Sequence, residues 1–193
     1  IMLPVLLTLF ALVVAQTKPD LPKDFSGEVI YTIQRGKHVP RHFHGDWWHD
    51  GTAKREHFDV EADRVGRVDL FKFWNNTAGG VEYEDIHASK QCHHRNFHQR
   101  YHDPFDFVAH AHYAGRCDNN HHGARWTATT PGAFELDLCA SWDGKTPSWL
   151  ERLHLVEDHL RVTVRFHTWN PTRPAASNFI IPAECNKTTV EAW

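Results

Sequence analysis

Leu160, Val162, Val164 and Phe166 alternate strictly with Arg161, Thr163, Arg165 and His167. A period of two places the apolar set on one face of a strand and the charged set on the other. Such a strand is antiparallel and half-buried, because a strand covered on both faces reads as continuously apolar. The chain must therefore build a sheet with one wet face and one dry face. Beyond this strand come the breaker Asn170-Pro171-Thr172-Arg173-Pro174 and the apolar run Phe179-Ile180-Ile181, ahead of Cys185. That order predicts a long strand, a proline-marked crossing, and a further strand in a second sheet.

The remainder reads in the same way. Val29, Tyr31 and Ile33 mark a strand that turns at Arg35-Gly36 into one ending Trp47-Trp48-His49. Asp50-Gly51 predicts a type I′ hairpin, whose two central residues need positive φ; residues 55–60 return from it. Residues 68–74 are apolar on both faces, which predicts a place in the middle of the protein, and Ala78-Gly79-Gly80 turns them into residues 81–86. Residues 87–103 are polar, rich in histidine and without period, and read as a loop, with a short helix as the alternative. Strands are expected again at 105–113, 124–129, 134–139 and 150–156, with turns at 118–123, 142–148 and Glu157-Asp158. About ten short strands at hairpin spacing, with no helical period, predict an all-β fold. The architecture expected is two antiparallel sheets forming a curved sandwich or half-open barrel around a hydrophobic pocket.

At 193 residues the chain makes one domain. A net charge of −3 gives no basic face for phosphate, which excludes nucleic acid as a partner. Residues 2–15 are nearly all apolar and close on small residues, which predicts a secretory signal peptide over 1–15. The run is short of the ~20 residues a spanning helix needs. The folded domain is expected over 21–185, with a tail at 186–193. Secretion makes Cys92, Cys117, Cys139 and Cys185 legible as disulfide partners, since no C-x-x-C pair offers zinc spacing. Four cysteines allow three pairings, and spacing does not choose among them. Asn75-Asn76-Thr77 and Asn186-Lys187-Thr188 are glycosylation sequons, at Asn75 and Asn186.

One family shares this arrangement. Phe25-Ser26-Gly27 opens the first strand, and the hairpin over 48–55 follows; Tyr83-Glu84-Asp85 leads to Cys92. Then come Phe105, Tyr113-Ala114-Gly115-Arg116-Cys117, and the ending Ser177-Asn178-Phe179-Ile180-Ile181-Pro182-Ala183-Glu184-Cys185. With these residues the chain resembles the ependymin-related proteins, whose domain is similar to the bacterial lipoprotein carriers of the LolA type. The resemblance implies two antiparallel sheets curved around a hydrophobic pocket, in a secreted or lysosomal glycoprotein that binds lipid-like ligands. It also implies a Cys92–Cys185 disulfide, leaving Cys117 with Cys139.

Two sets of side chains offer binding chemistry. Phe71, Phe73, Trp74, Phe107, Trp126, Leu136, Val162, Val164 and Phe166 supply the large shaped apolar area that an acyl chain needs. The 17 histidines include two H-x-H pairs, His42 with His44 and His110 with His112. On strands each pair points to one side, so together they offer zinc or copper a set of imidazoles. Protonation of the histidines would also make the chain strongly positive in an acidic compartment. The acids Asp59, Glu61 and Asp63 alternate as in a calcium loop, but Arg64 and Leu70 stand where an EF-hand needs glycine and glutamate. Calcium is left only a looser carboxylate site. No nucleophile elbow, H-E-x-x-H or phosphate-binding glycine loop is present in the sequence, and no enzyme is expected. The reading is a secreted carrier of a lipid-like molecule, compatible with a homodimer and with contact to matrix or a membrane surface. The alternative is a histidine-rich extracellular metal-binding or adhesive protein with no lipid pocket.

Overall fold

Hairpin follows hairpin along this chain, and the computed structural model shows where each one goes. It describes residues 16–62, 65–75, 79–117, 122–130, 134–154, 159–183 and 185. Among them run eleven strands: β1 (Asp24–Arg35), β2 (Arg41–Asp50), β3 (Arg55–Ala62), β4 (Gly66–Trp74), β5 (Gly80–Ile86), β6 (Gln91–Phe97), β7 (His112–Arg116), β8 (Ala124–Thr130), β9 (Phe134–Ala140), β10 (Pro147–His154) and β11 (Leu160–Phe166). All neighbours are antiparallel, in the order β6-β5-β4-β3-β2-β1-β11-β10-β9-β8-β7. The fold is all-β, curled and not closed, because the edges β6 and β7 do not pair with each other. The two expected sheets are two arms of one sheet, joined where β1 meets β11 with Val29 opposite Phe166 and Ile33 opposite Val162. That seam, rather than β4, is the middle of the protein.

The curl has a local cause. Gly27 and Gly45 sit on the inner face of β1 and β2, where a Cβ would collide with the carbonyls of Thr168 and Asp59 respectively. Strand glycine marks such close backbone approach. The arms therefore fold toward one face, and one cluster joins them: Phe25, Val29, Trp47 and Phe58 from one arm pack with Trp126, Leu138, Leu150 and Val164 from the other.

Four local expectations give way. Asp50-Gly51 is not a two-residue turn; Asp50 pairs with Arg55, residues 51–54 connect them, and Lys54 takes the left-handed conformation (φ 56°). The Asp50 carboxylate accepts the Ala53 N–H at 2.9 Å, which favours this longer loop. Of residues 105–113, only His112 and Tyr113 enter a strand, at the start of β7. A 3₁₀ turn at Asp106–Ala109 instead buries Phe105, Val108 and Ala111, a spacing of three that suits 3₁₀ geometry. Phe179-Ile180-Ile181 also is no strand; a 3₁₀ turn at Ala176–Phe179 buries Phe179 and leaves Ile180 70% exposed. In the polar stretch read as a loop, β6 forms and carries Cys92.

Two disulfides hold the periphery. Cys92 of β6 joins Cys185 across 93 residues, with Cα atoms 5.0 Å apart, and Cys117 joins Cys139 across 22 residues at 5.7 Å. The segment leading to Cys185 straps the outer face of one arm. Arg173 donates to Asp50 at 3.0 Å, and the Arg55 guanidinium lies 4.2 Å over the Phe179 ring.

Candidate ligand-binding face

Register decides which side chains share the inner, concave face. Val164 stands opposite Tyr31 and Leu150, Leu150 opposite Leu138, and Leu138 opposite Trp126. This row is buried apart from Tyr31, which is half-buried. The next row runs Ile33, Val162, Arg152, Leu136 and Ala128. It is only partly covered, with Ile33 37% exposed and Val162, Leu136 and Ala128 half-buried. Arg152 lies in this apolar row with its guanidinium 4.7 Å over the Phe134 ring.

The two ends of the concave face differ. Where β1 begins, the 3₁₀ turn plugs the face: Phe25 is fully buried, with ring centroids 5.6 Å from Phe105, 4.9 Å from Trp47 and 4.6 Å from Trp169. A surface cleft of about 320 Å³ lies on the solvent side of this plug, lined by Lys18, Asp20, Leu21, Asp103 and Asp106 among others. At the opposite end, under the β1–β2 hairpin, the apolar rows run out toward solvent.

Six of the nine apolar residues picked from sequence lie on this concave face: Trp74, Trp126, Leu136, Val162, Val164 and Phe166. Phe107 belongs to the plug and packs against the core. Phe71 and Phe73 do not line it. They alternate with Leu70, Lys72 and Trp74, so they face outward, where Phe71 stacks on His57 at 4.1 Å and Phe73 meets Tyr83 edge-on. A strand apolar on both faces gives no sequence signal for which face is inner.

Sequence reasoning missed the buried polar groups. His49, on the Trp47 side of β2, is fully buried; its Nδ1 bonds Glu56 Oε1 at 2.9 Å and its Nε2 bonds the Tyr101 hydroxyl at 2.9 Å. Burial, then the neighbouring acids, raises the Tyr101 phenol well above its ordinary value, so it stays protonated. This array ties the plug to the sheet. The signal was available: strict alternation puts a polar His49 among apolar neighbours, where it needs partners.

On the outer face Asp69, buried, spends one oxygen on His57 Nε2 at 2.7 Å and the other on His87 Nε2 at 2.5 Å. His57 is sandwiched between Trp48 and Phe71. Asp85 lies 3.7 Å from His87, and the ligand atoms of Asp69, Asp85 and His87 all fall within 4.8 Å of one another. Both Asp69 oxygens are engaged by imidazole, which makes this a carboxylate–histidine cluster.

The H-x-H pairs do not assemble. His42 and His44 are on β2 and His112 is on β7, with five strands between them, while His110 precedes β7 and is exposed. His42 Nδ1 is already within 2.9 Å of Thr32 Oγ1, and His112 Nε2 within 2.9 Å of Thr127 Oγ1. Of the alternating acids, Asp63 lies outside the described residues, and the Asp59 carboxylate accepts two hydrogen bonds from the Arg67 guanidinium, at 2.9 and 2.7 Å. Asn75 is exposed at the end of β4; Asn186 and residues 1–15 lie outside the described residues.

Burial pushes the Asp69 carboxyl up, but its hydrogen bonds from His57 and His87 outweigh this and hold it below the ordinary carboxylate range. A folded-state value below the unfolded one contributes stability above the unfolded value, which is lost as pH falls through the folded one. Asp46 and Asp103 act in the opposite sense, being raised chiefly by burial. Asp69→Asn is therefore expected to destabilise at pH 7, with the gap to the parent narrowing below about pH 4. Urea midpoints of both proteins at pH 7 and pH 3 measure this; an equal gap at both values contradicts it.

No protein-family model and no curated protein matches the chain. Among the solved structures similar to it is an uncharacterized conserved protein from Thermus thermophilus, at 9% identity over 84% of this chain and 88% of that one, with a TM-score of 0.50. Others are the MucA/MucB complex of Pseudomonas aeruginosa (17% identity, 86% of this chain, 58% of that one, TM-score 0.45) and a DUF1329 family protein from Desulfovibrio piger (10%, 78% and 86%, 0.37). At such identities the likeness to the first is one of fold.

Proposed function

We propose that this protein is a carrier that holds a hydrophobic, lipid-like molecule against the concave face of its sheet, loaded from the open end. The observation that carries the reading is the grading of the apolar rows. Packing is complete at Trp126, Leu138 and Val164, and incomplete one row out, at Ile33, Val162, Leu136 and Ala128. A core built only for stability would cover that outer row, because a half-buried Ile, Val or Leu forgoes part of the about 1.5–3 kcal/mol that full burial contributes. An apolar site with one wet end suits an amphiphile, whose tail enters and whose head stays in water. The reading is binding rather than catalysis: in the Glu56–His49–Tyr101 array, which has acid–base chemistry, His49 and Glu56 are buried and already bonded to each other. The disulfides fit an oxidising compartment, and with the signal-like segment they support secretion. They also match the pairing that the ependymin-like resemblance implies. The metal-binding alternative has no comparable support, since its two histidine pairs stay apart.

Native mass spectrometry of the secreted protein, before and after organic extraction, tests the carrier. The expected result is a mass excess beyond glycan that extraction removes. Val162→Lys, which places a charge in the outer row, is expected to reduce uptake of a fluorescent fatty acid tenfold or more by the order of the burial lost and charge desolvated. A bare mass together with unchanged uptake in the variant would overturn the reading.

A further inference from the structure

We propose that the open end of the curled sheet docks on an anionic lipid bilayer, with the β1–β2 hairpin tip as its leading edge. The tip and its flanks, residues 35–44, read Arg-Gly-Lys-His-Val-Pro-Arg-His-Phe-His: three permanent cations, three histidines and no acid, in a chain whose net charge is −3. The basic run is therefore a local concentration set against the sign of the whole molecule. Its apex is apolar. Val39 is 86% exposed, and at the adjacent β3–β4 connection Val65 is 42% exposed.

Antiparallel pairing puts both connections at one end, because Arg41 begins β2 where Arg35 ends β1, and Gly66 begins β4 where Ala62 ends β3. Ile33, at the edge of the concave face, lies on the same hairpin two residues below Arg35. An exposed valine within four residues of Arg35, Lys37 and Arg41 meets both layers of a bilayer surface: the apolar side chain enters the interface while the cations meet anionic headgroups. The acid opposite this hairpin in register is Glu61, facing His44 rather than the apex. A soluble polyanion would use the cations and leave Val39 and Val65 without a role. The bilayer uses both, and it places the lipid source at the mouth of the groove. The proposal extends the carrier reading, though its test stands apart from it.

The test is cosedimentation of the full chain with phosphatidylcholine vesicles, alone or containing phosphatidylserine. Binding is expected to the serine-containing vesicles and to weaken with added salt. At about 1 kcal/mol per cation near the surface, Lys37→Gln with Arg41→Gln lowers partitioning about 25-fold. Val39→Asp, on an exposed side chain that folding does not need, lowers it roughly tenfold or more, whereas Val39→Leu preserves it. Vesicle binding that is absent, or that Val39→Asp leaves unchanged, overturns the proposal. So does heparin binding lost in the double variant while vesicle binding is kept. Fatty-acid uptake without vesicles, measured on the same variants, is expected to equal the parent's. If no variant takes up the probe yet vesicle binding follows the pattern above, docking stands and the carrier reading falls.

Discussion

Replacing Cys92 and Cys185 together by serine will lower the unfolding free energy by about 4–5 kcal/mol, the chain-entropy value for a loop of this length. The bond closes 93 residues, so its loss frees more of the unfolded chain than loss of the 22-residue Cys117–Cys139 loop, for which about 3 kcal/mol is expected. The native state suffers as well. Cys92 sits on the edge strand β6, and Cys185 ends the strap that carries Arg173 to Asp50 and Phe179 beneath Arg55. With the bond gone, the strap depends on those side-chain contacts. For a domain of this size the deficit corresponds to a fall in Tm of roughly 10–15 °C. Denaturant unfolding of the double variant beside Cys117→Ser/Cys139→Ser checks both magnitude and order. A larger loss from the shorter loop would show that the strap is held mainly by its side chains.

Phe25→Ala will cost about 4 kcal/mol, near the upper range for a buried aromatic. The ring is fully buried and touches both the sheet and its cap: Trp47, Phe166 and His49 below, Phe105 and Trp169 above. The site cannot collapse around the void, because Trp47 is stacked on Phe58 and Phe166, and His49 is fixed by two hydrogen bonds. Phe25→Leu, which keeps most of the volume, is expected to cost about 1–2 kcal/mol. Urea unfolding followed by tryptophan fluorescence measures both. Near-equal costs would mean that the plug loosens as a unit and Phe25 is not its anchor.

The strands that sequence revealed are those with one wet face. Leu160 to Phe166 and Phe134 to Leu138 alternate cleanly because their outer sides carry Arg161, Arg165, Glu135 and Asp137. β6 was illegible for a related reason: its inner side chains are Gln91, His93 and Arg95, the last bonded to Glu82, with Phe97 only at its end, so neither face reads as apolar. The plug was misjudged by period. Phe105, Val108 and Ala111 recur every third residue, which neither a strand nor an α-helix produces over a longer run. The single sheet was hidden because pairing of β1 with β11 leaves no local trace. Of the candidate site, the apolar identity of the inner face could be read, but the side on which Phe71 and Phe73 stand could not, since Asp69 on their face is itself buried by its histidines.

The seam between β1 and β11 also sets the order in which this molecule can come into being. Thr32 pairs with Thr163 and Val29 with Phe166, so the central ladder waits until nearly the whole chain has left the ribosome. Hairpins from β2 to β6 can close as they emerge, while β1 keeps one edge unsatisfied. Long-range pairing of this kind folds slowly and leaves strand edges open to other chains. Translocation as an extended chain, with the seam and the Cys92–Cys185 bond formed together afterwards, would spare the nascent protein that exposure.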